Sequence, residues 1–522
     1  MNPVELNLFA NRLAAICDEM GAVLRNAAFS PNIRDRLDFS CAVFDAAGDL
    51  CAQASHIPVH LGSMAYAMRR IVSRMAWSAG DQVVLNDPYL GGTHLPDVTI
   101  IAPVFRDGWL AAFVVNRAHH ADIGAESPGS MPVSTSLDQE GLIISPVHLV
   151  REGRVQRDIL EQIVGAAHNR AESEGDFAAQ LSANRAGATR LSELVGSMGP
   201  GGFRAAVDDL NAYGERLARD TLRVIPDGTY RFEDCLDDDG QGHRELPIRL
   251  ALRAAHGEIS ADFRGTSGQV PGNVNCPISV AAAGVYYALR CLMPAQTPAC
   301  AGVFRPIHLV VPEGCLLNAR APAAVAAGNV ETSTRVVDVM LGALAQALPD
   351  RIPAASQGSM NNVALGVDRP GCRWDYYETI GGGMGAGAEG GGLSGLHTHM
   401  TNTLNTPIEV LESRFPLRVT AYGLRRGSGG RGARRGGDGL VREFEFLAPA
   451  RFTVLSERRR RAPWGLQGGA PGAPGRNLLN GVELPGKVTG AVGVGDRLRI
   501  ETPGGGGYAR EAAADREHGF EQ

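Results

Sequence analysis

Apolar residues in this chain follow a helical spacing in some stretches and form short strand-like runs in others. Residues 4–27 carry apolar side chains every three or four positions, which predicts an amphipathic helix. Residues 39–44 and 49–53 are apolar runs joined by a turn that contains Gly48, which predicts a β-hairpin. Further helical patterns follow at 62–76, 158–220, 279–293 and 333–347. Further strand-like runs lie between them, at 82–86, 98–104, 110–116, 229–236, 246–253 and 258–263. This alternation predicts an α+β fold with mixed or antiparallel sheets and packed helices.

The length of 522 residues exceeds the ~150 residues typical of one domain about threefold, so we expect a large, multi-lobed subunit. The approximate lobes cover residues 3–155, 156–225, 226–350 and 351–508, followed by a tail at 509–522. In the first lobe, the polar loops near the strand-like runs contain many His and Asp residues. Because loops at strand ends commonly carry functional sites, we expect a functional site in this lobe.

Composition and charge argue against several classes of protein. The hydrophobic content is 44% and the charged content is 20%, as in folded chains, and the net charge of -6 does not favour nucleic acid. No apolar run approaches the ~18 residues of a membrane span, and the N-terminal residues lack the apolar stretch of a signal peptide. We therefore expect a cytoplasmic protein that does not enter a membrane.

Lysine occurs once in the sequence, at Lys487. Residues 481–487 match the phosphate-loop pattern G-x-x-x-x-G-K, but Val488 replaces the Ser or Thr that would hold magnesium. We interpret this segment as a turn between strands, so that ATP, if the chemistry needs it, is held by another chain. The basic run 458–461 has no interleaved aromatic residues, and we interpret it as pairing with acidic surface or with a partner subunit.

The first polar cluster contains His94 and Asp97, followed along the chain by His119 and His120. Imidazole and carboxylate groups are ligands of divalent ions such as zinc or manganese. His94 and Asp97 are three residues apart and can converge from one loop. Either His119 or His120 can supply a third ligand, because the two segments flank a pair of strand-like runs. Hydrogen-bonded turns show the same composition, so a metal site and a structural role both stay open here.

The second cluster contains Asn329 and Glu331, directly before the helix predicted from residue 333. Free amide groups and the helix dipole at such a position favour an anionic ligand. The alternative is an ordinary helix start that is capped by Thr332 or Ser333.

The third cluster contains His397, His399, Asn402 and Asn405 and follows the glycine-rich run 381–396. Two His residues among so many small polar side chains are unusual for a core segment. The glycines would let the backbone approach a ligand or move as a lid. A site and a structural segment are equally open interpretations.

Several motifs occur in an order that is distinctive of one family. They are Phe29-Ser-Pro-Asn-Ile-Arg34, Asp38-Phe-Ser40, His56-Ile-Pro-Val-His60, Gly92-Thr-His-Leu-Pro-Asp97, Asn116-Arg-Ala-His-His-Ala-Asp122, Gly328-Asn-Val-Glu-Thr-Ser333, His399-Met-Thr-Asn-Thr403 and Thr502-Pro-Gly-Gly-Gly-Gly507. With these motifs the chain resembles the hydantoinase B/oxoprolinase family over residues 3–508.

The resemblance implies a subunit of a two-component, ATP-dependent enzyme that opens a cyclic amide such as a hydantoin, 5-oxoproline or a lactam. It implies a hydantoinase A-like partner subunit that binds ATP and magnesium, and therefore a hetero-oligomer. A ketone carboxylase subunit of the same family and a non-catalytic scaffold subunit are the alternative functions.

The resemblance also implies the roles of individual residues. The family's metal ligands lie in a His-x-x-Asp loop and a later His, which correspond here to His94, Asp97 and His119. We therefore expect a divalent ion such as zinc or manganese that activates a water molecule. The predicted catalytic residues are His120, Asp122, Glu331 and His399, and the predicted substrate-binding residues are Asn329, His397, Asn402 and Asn405. His120 and Asp122 would orient the metal ligands or transfer a proton.

Overall fold

The computed structural model describes residues 1–54, 56–369 and 372–511. Within these ranges the chain forms eight α-helices and twenty β-strands in four sheets. The helices are α1 (Pro3–Ala27), α2 (Pro31–Arg34), α3 (Pro58–Val72), α4 (Arg157–Ala166), α5 (Arg170–Leu222), α6 (Ile278–Arg290), α7 (Ser333–Ala347) and α8 (Ile408–Arg414). None of the described helices is both long and apolar enough to cross a membrane.

The first sheet has seven strands and is antiparallel throughout. Its strands are β1 (Phe39–Asp45), β2 (Leu50–Gln53), β3 (Gln82–Leu85), β4 (Asp97–Arg106), β5 (Trp109–His119), β6 (Val147–Arg151) and β7 (Arg154–Val155), in the order β2-β1-β5-β4-β3-β6-β7. The predicted hairpin is confirmed as β1 and β2, and Gly48 has a φ of 83° in its turn. A left-handed conformation of this kind favours glycine.

The other three sheets come from the rest of the chain. The second contains β8 (Gly228–Asp238), β9 (Arg244–Ala255), β10 (Glu258–Asp262) and β11 (Ile307–Val310), and its β10 and β11 are parallel. The third contains β12 (Asn362–Arg369), β13 (Cys372–Glu378), β16 (Ala450–Leu455) and β19 (Lys487–Val492). The fourth contains β14 (Leu417–Arg425), β15 (Gly439–Phe446), β17 (Arg476–Leu479), β18 (Val482–Leu484) and β20 (Arg497–Glu501). The predicted α+β class with mixed and antiparallel sheets is confirmed, whereas the lobe boundaries stay a prediction.

The helices pack on the sheets through the faces that their apolar spacing predicts. Helix α1 lies against α5 and buries Phe9, Leu13 and Ile16. The stretch predicted as helical over 158–220 is divided into α4 and α5, and α5 is interrupted at Gly199, where φ is 70°. Helices α6 and α7 pack together beside the second sheet in the largest apolar cluster, so several parts of the chain share one core.

A group of buried charged side chains, which we call the ionic cluster, connects the second and third sheets. Its members are Asp234, Arg335, Asp338, Glu457, Arg458 and Lys487. Arg458 Nη2 lies 2.7 Å from Asp234 Oδ2 and 2.5 Å from Asp338 Oδ2. Lys487, at the start of β19, has its Nζ 2.7 Å from Glu457 Oε1. The lysine of the phosphate-loop match is therefore an interior ion-pair partner. The interpretation of residues 481–487 as a turn between strands holds only in part, because the short strand β18 occupies the middle of the segment, with a turn on either side.

The basic run 458–461 lies partly inside the protein. Arg458 belongs to the ionic cluster, and Arg459 Nη1 donates to Asn361 Oδ1 at 2.7 Å. Arg460 and Arg461 are exposed. The expectation of a surface role is therefore wrong for the first two arginines, because carboxylates and amides from distant segments surround them.

Candidate metal centre

The pairing of β4 and β5 brings two predicted ligands together. Asp97 is the first residue of β4, His119 is the last residue of β5, and the antiparallel register places them directly opposite each other. His94 lies in the loop before β4, and the amide of Asp97 donates to its carbonyl at 3.1 Å. The strand pair and its preceding loop therefore position all three side chains.

The geometry of this group suits a single ion. Asp97 Oδ1 lies 3.1 Å from His119 Nδ1 and 3.2 Å from His94 Nε2. One ligand atom from each of the three residues lies within 4.8 Å of the others, and all three side chains are buried. The structure thus brings together the three residues that the sequence predicts as metal ligands.

Two further side chains reach the same carboxylate. His60, in the first turn of α3, has its Nε2 3.1 Å from Asp97 Oδ2. Asn329 Nδ2 donates to Asp97 Oδ2 at 3.3 Å. His60 is not among the residues predicted for the site, although it stands in one of the motifs. The direction of the His60 side chain depends on how α3 packs against the first sheet, and the spacing of residues along the sequence does not reveal this packing.

Unpaired ring nitrogens indicate that the group fits a metal. His94 Nδ1 lies 3.3 Å from the Ala326 carbonyl, so a proton there leaves a lone pair on Nε2. The Nε2 atoms of His94 and His119 are buried and make no hydrogen bond of normal geometry, and that of His94 lies beside Asp97 Oδ1 at 3.2 Å. Metal-bound imidazoles commonly have this arrangement, with one nitrogen held by a carbonyl or a carboxylate. Two imidazoles and one carboxylate suit a divalent ion such as zinc or manganese.

The charges in this buried group depend on one another. Burial acts to raise the pKa of Asp97, but His60 and His94 outweigh burial and hold the pKa well below its usual range. Burial acts to lower the pKa of His94, yet Asp97 raises it overall. Burial lowers the pKa of His119. The site therefore holds a carboxylate that stays ionised in the interior and needs a positive charge beside it.

A small cavity adjoins the group. Its volume is about 20 Å³, which is room for about one water molecule and not for a substrate ring. Tyr377 covers one side, because its ring stacks on His119 with centroids 4.6 Å apart. Residues 400–403 contribute Met400, Thr401 and Thr403 to the lining. In this conformation a ring substrate does not fit, so its entry requires the lining to move.

The second predicted cluster divides between two environments. Asn329 reaches Asp97, whereas Glu331 accepts hydrogen bonds from the Met360 amide at 3.0 Å and from Asn362 Nδ2 at 2.8 Å. Residues 328–332 form a π-helical turn that runs directly into α7. Both interpretations of a helix start at residue 333 are therefore wrong, since the preceding turn is itself helical and no side chain caps α7.

Glu331 is expected to make stability depend on pH. Burial, with Glu457 nearby, raises its pKa from 4.5 to about 7. Ionisation of Glu331 then favours the unfolded chain. The free energy of unfolding of the wild type therefore falls by up to about 3 kcal/mol relative to that of Glu331→Gln as the pH rises from about 4.5 to about 7. Urea unfolding of both proteins at both ends of this range, with chelator present, measures the difference. If the free energy of unfolding changes equally with pH in the two proteins, the pKa of Glu331 is not shifted.

Two residues of the third cluster lie at one cavity or next to its lining, since Asn402 lines it and His399 contacts Tyr287, which also lines it. His399 has a buried Nε2 without a hydrogen-bond partner, and its ring meets Tyr287 edge-on with centroids 5.8 Å apart. Asn402 lines a larger cavity of about 290 Å³ together with His56 and Arg290. Neither side chain contacts the three predicted ligands, although residues 400, 401 and 403 line the small cavity between them.

The remaining two residues of that cluster have different surroundings. Both ring nitrogens of His397 are buried without a hydrogen-bond partner, and burial lowers its pKa to about 4. Asn405 Nδ2 donates to Glu378 Oε1 at 2.7 Å and to the Thr379 carbonyl at 2.8 Å. Asn405 therefore holds its segment to the end of β13.

His120 and Asp122 follow His119 directly, but their contacts are elsewhere. His120 Nε2 lies 2.9 Å from Gln180 Oε1 on α5. Asp122 accepts the Gly124 amide at 2.8 Å and pairs with His168. Both residues line a cavity of about 290 Å³ that does not include the three predicted ligands.

Relatives of known sequence share nearly the whole chain. The sequence profile of the hydantoinase B/oxoprolinase family matches residues 2–511. The chain is 39% identical over 539 residues to 5-oxoprolinase 1 of Arabidopsis thaliana, covering 97% of this chain but 42% of that protein. It is 32% identical over 537 residues to a putative D-/L-hydantoinase subunit of a Pseudomonas species, covering 97% of this chain and 90% of the relative.

Two solved structures have the same fold. An ATP-dependent caprolactamase from Pseudomonas jessenii matches with a TM-score of 0.90 and 28% identity, covering 98% of this chain and 91% of that one. A nucleotide-free acetone carboxylase matches with a TM-score of 0.86 and 18% identity, covering 98% of this chain and 76% of that one. At that identity the second likeness concerns the fold alone. Together with the profile match, these findings show that the chain belongs to the hydantoinase B/oxoprolinase family.

Proposed function

We propose that this chain is the metal-containing subunit of a two-component, ATP-dependent amidohydrolase that opens a cyclic amide of the hydantoin, 5-oxoproline or lactam type. The observation that carries the proposal is the buried group of His94, Asp97 and His119 in a chain of this family. Relatives named as a 5-oxoprolinase and a hydantoinase subunit, and a structural neighbour that is a caprolactamase, support a cyclic amide as substrate.

His94, Asp97 and His119 would hold the divalent ion. Such an ion supplies Lewis acidity, which makes water a better nucleophile at neutral pH and stabilises negative charge on a carbonyl oxygen. Asn329 and His60 keep Asp97 oriented from its other oxygen, Oδ2. His60 Nε2, 3.1 Å from that oxygen, would donate its proton to Asp97 and keep the carboxylate ionised.

Other predicted residues act around the ring in this proposal. Met400, Thr401 and Thr403 line the small cavity, so movement of the segment 399–405, which we call the wall, would admit the substrate. His399 and Asn402 would then contact the ring, with His397 and Asn405 holding the ends of the wall. Glu331 would support Asn362 and Met360 rather than touch the substrate. Exclusion of bulk water would protect the activated ring from side reactions.

The ATP site is proposed to lie on a hydantoinase A-like partner subunit. The one phosphate-loop match in this chain is a short strand with a turn on either side, and its lysine is buried against Glu457. A relative named as one subunit of a hydantoinase and an ATP-dependent caprolactamase of the same fold support a divided enzyme. The partner would phosphorylate the amide oxygen, which activates the carbonyl carbon toward water.

The test is turnover by the full complex. The chain and a hydantoinase A-like partner are co-expressed, and 5-oxoproline, a hydantoin and caprolactam are each incubated with ATP and magnesium. We expect ATP-dependent ring opening by the wild type and its loss in His94→Ala, with the complex still assembled on size-exclusion chromatography. Carboxylation of a ketone from bicarbonate without any ring opening would establish the carboxylase function instead. Undiminished turnover by His94→Ala would leave the chain a scaffold.

A further inference from the structure

A second group of potential ligands lies away from the Asp97 group. Asp122, His168 and Asp375 each offer an atom within 4.8 Å of the other two. They come from three separate parts of the chain: the segment after β5, the residues before α5, and strand β13. Two carboxylates that lie this close together repel each other unless a positive charge lies between them.

The two carboxylates are held in place by the backbone. Asp122 Oδ1 accepts the Gly124 amide at 2.8 Å, and Asp375 Oδ1 accepts the Gly129 amide at 3.1 Å. Their other oxygens face one imidazole, since His168 Nδ1 lies 2.9 Å from Asp122 Oδ2 and 3.7 Å from Asp375 Oδ2. Each carboxylate therefore has one oxygen directed to the same place, as in a preorganised cation site.

The group opens into a cavity of about 290 Å³ with an excess of acidic side chains. Asp122, Glu172, Asp176 and Asp375 line it, against the two arginines Arg373 and Arg414. His120 also lines this cavity. The surroundings therefore attract a cation and give it access from solvent.

His120 provides an independent indication of a ligand. Gln180 Nε2 donates to the Val98 carbonyl and to Asn116 Oδ1, both at 2.9 Å, so Gln180 Oε1 must be an acceptor. His120 Nε2, 2.9 Å from that oxygen, therefore carries the proton, and its Nδ1 carries a lone pair. This Nδ1 has no hydrogen-bond partner, and the side chain is only 1% exposed. A buried lone pair beside an acidic cavity needs a donor or a cation.

We propose that Asp122, His168 and Asp375 bind a second divalent cation, with His120 Nδ1 accepting a hydrogen bond from a water molecule of its hydration shell. Two carboxylates and one imidazole suit manganese or zinc. On binding, the ion replaces the proton that His168 Nδ1 shares with Asp122, and that proton is released to solvent. The ion ties β13 to the segments on either side of it and does not take part in the proposed reaction.

The experiment counts ions in the full-length chain. Purified protein freed of metal is titrated with Mn²⁺, and unbound aquated Mn²⁺ is measured by electron paramagnetic resonance. We expect about two ions per wild-type chain, about one in His94→Ala, about one in Asp375→Asn and none in the double variant. Circular dichroism verifies that each protein is folded. Mn²⁺ is also expected to raise the melting temperature of His94→Ala, which retains the second site.

Glu172→Gln is the matched control, because it removes a carboxylate from the same cavity without removing a ligand. It is expected to bind as many ions as the wild type. A folded His94→Ala protein that binds no ion and whose melting temperature does not respond to Mn²⁺ would overturn the proposal. The ion count and the melting temperature of His94→Ala do not depend on Asp375→Asn, so they decide the question even if Asp375→Asn fails to fold.

Discussion

Asp97→Asn is expected to lower turnover by the assembled complex on the order of 10³-fold and to remove the ion bound beside His94 and His119. Loss of a metal's charge stabilisation is worth several kcal/mol, and each 1.36 kcal/mol is tenfold in rate. Asn keeps the size of the side chain but removes the negative charge that faces the surrounding imidazoles. Steady-state rates, together with the metal content of the purified chain, measure both effects.

Asp107→Asn is the control for this change. Asp107 occupies the turn between the same two strands, its side chain is 79% exposed, and Asn tolerates its φ of 52°. Rates and metal content should match the wild type. If Asp97→Asn folds, loses its metal and still turns over at a tenth of the wild-type rate or more, the metal has no part in the chemistry.

Arg458→Met is expected to lower the free energy of unfolding by about 3–5 kcal/mol, the cost of removing one partner from a buried ion pair. Arg458 is 1% exposed and lies between the carboxylates of Asp234 and Asp338. Without the guanidinium, Asp234 keeps its pair with Arg335 at 3.1 Å, whereas Asp338 loses its contact at 2.5 Å. Urea unfolding followed by circular dichroism measures the loss.

Arg460→Met tests whether the effect belongs to the buried position, because Arg460 is two residues away and exposed. It should change stability by no more than about 0.5 kcal/mol. Arg458→Lys should recover only part of the loss, since one ammonium cannot reproduce the planar contacts of a guanidinium. Equal stability of Arg458→Met and Arg460→Met would show that the ionic cluster contributes nothing to folding.

Much of the fold and part of the site follow from local sequence. The spacing of Phe9, Leu13 and Ile16 predicts α1 because a helix repeats within a few residues. His119 could be placed near Asp97 because β4 and β5 are joined by a short turn, which sets the register of the pair. For the same reason the predicted hairpin of β1 and β2 is confirmed.

The remainder depends on contacts between distant segments. His60 reaches Asp97 because α3 docks beside the first sheet, and Asn329 reaches it across more than two hundred residues of sequence. Arg458 was interpreted as a surface residue since its partners, Asp234 and Asp338, lie far away in sequence. Spacing carries information about neighbours along the chain and little about such partners.

The burial of Lys487 has a practical consequence. It is the one lysine in the sequence, and its amine is held against Glu457 on a strand inside the protein. Reagents that acylate lysine side chains, and proteases that cleave only after lysine, therefore have a single target. Lys487 is shielded from them until the structure around the third sheet opens. The rate at which Lys487 reacts therefore measures how often this part of the molecule opens.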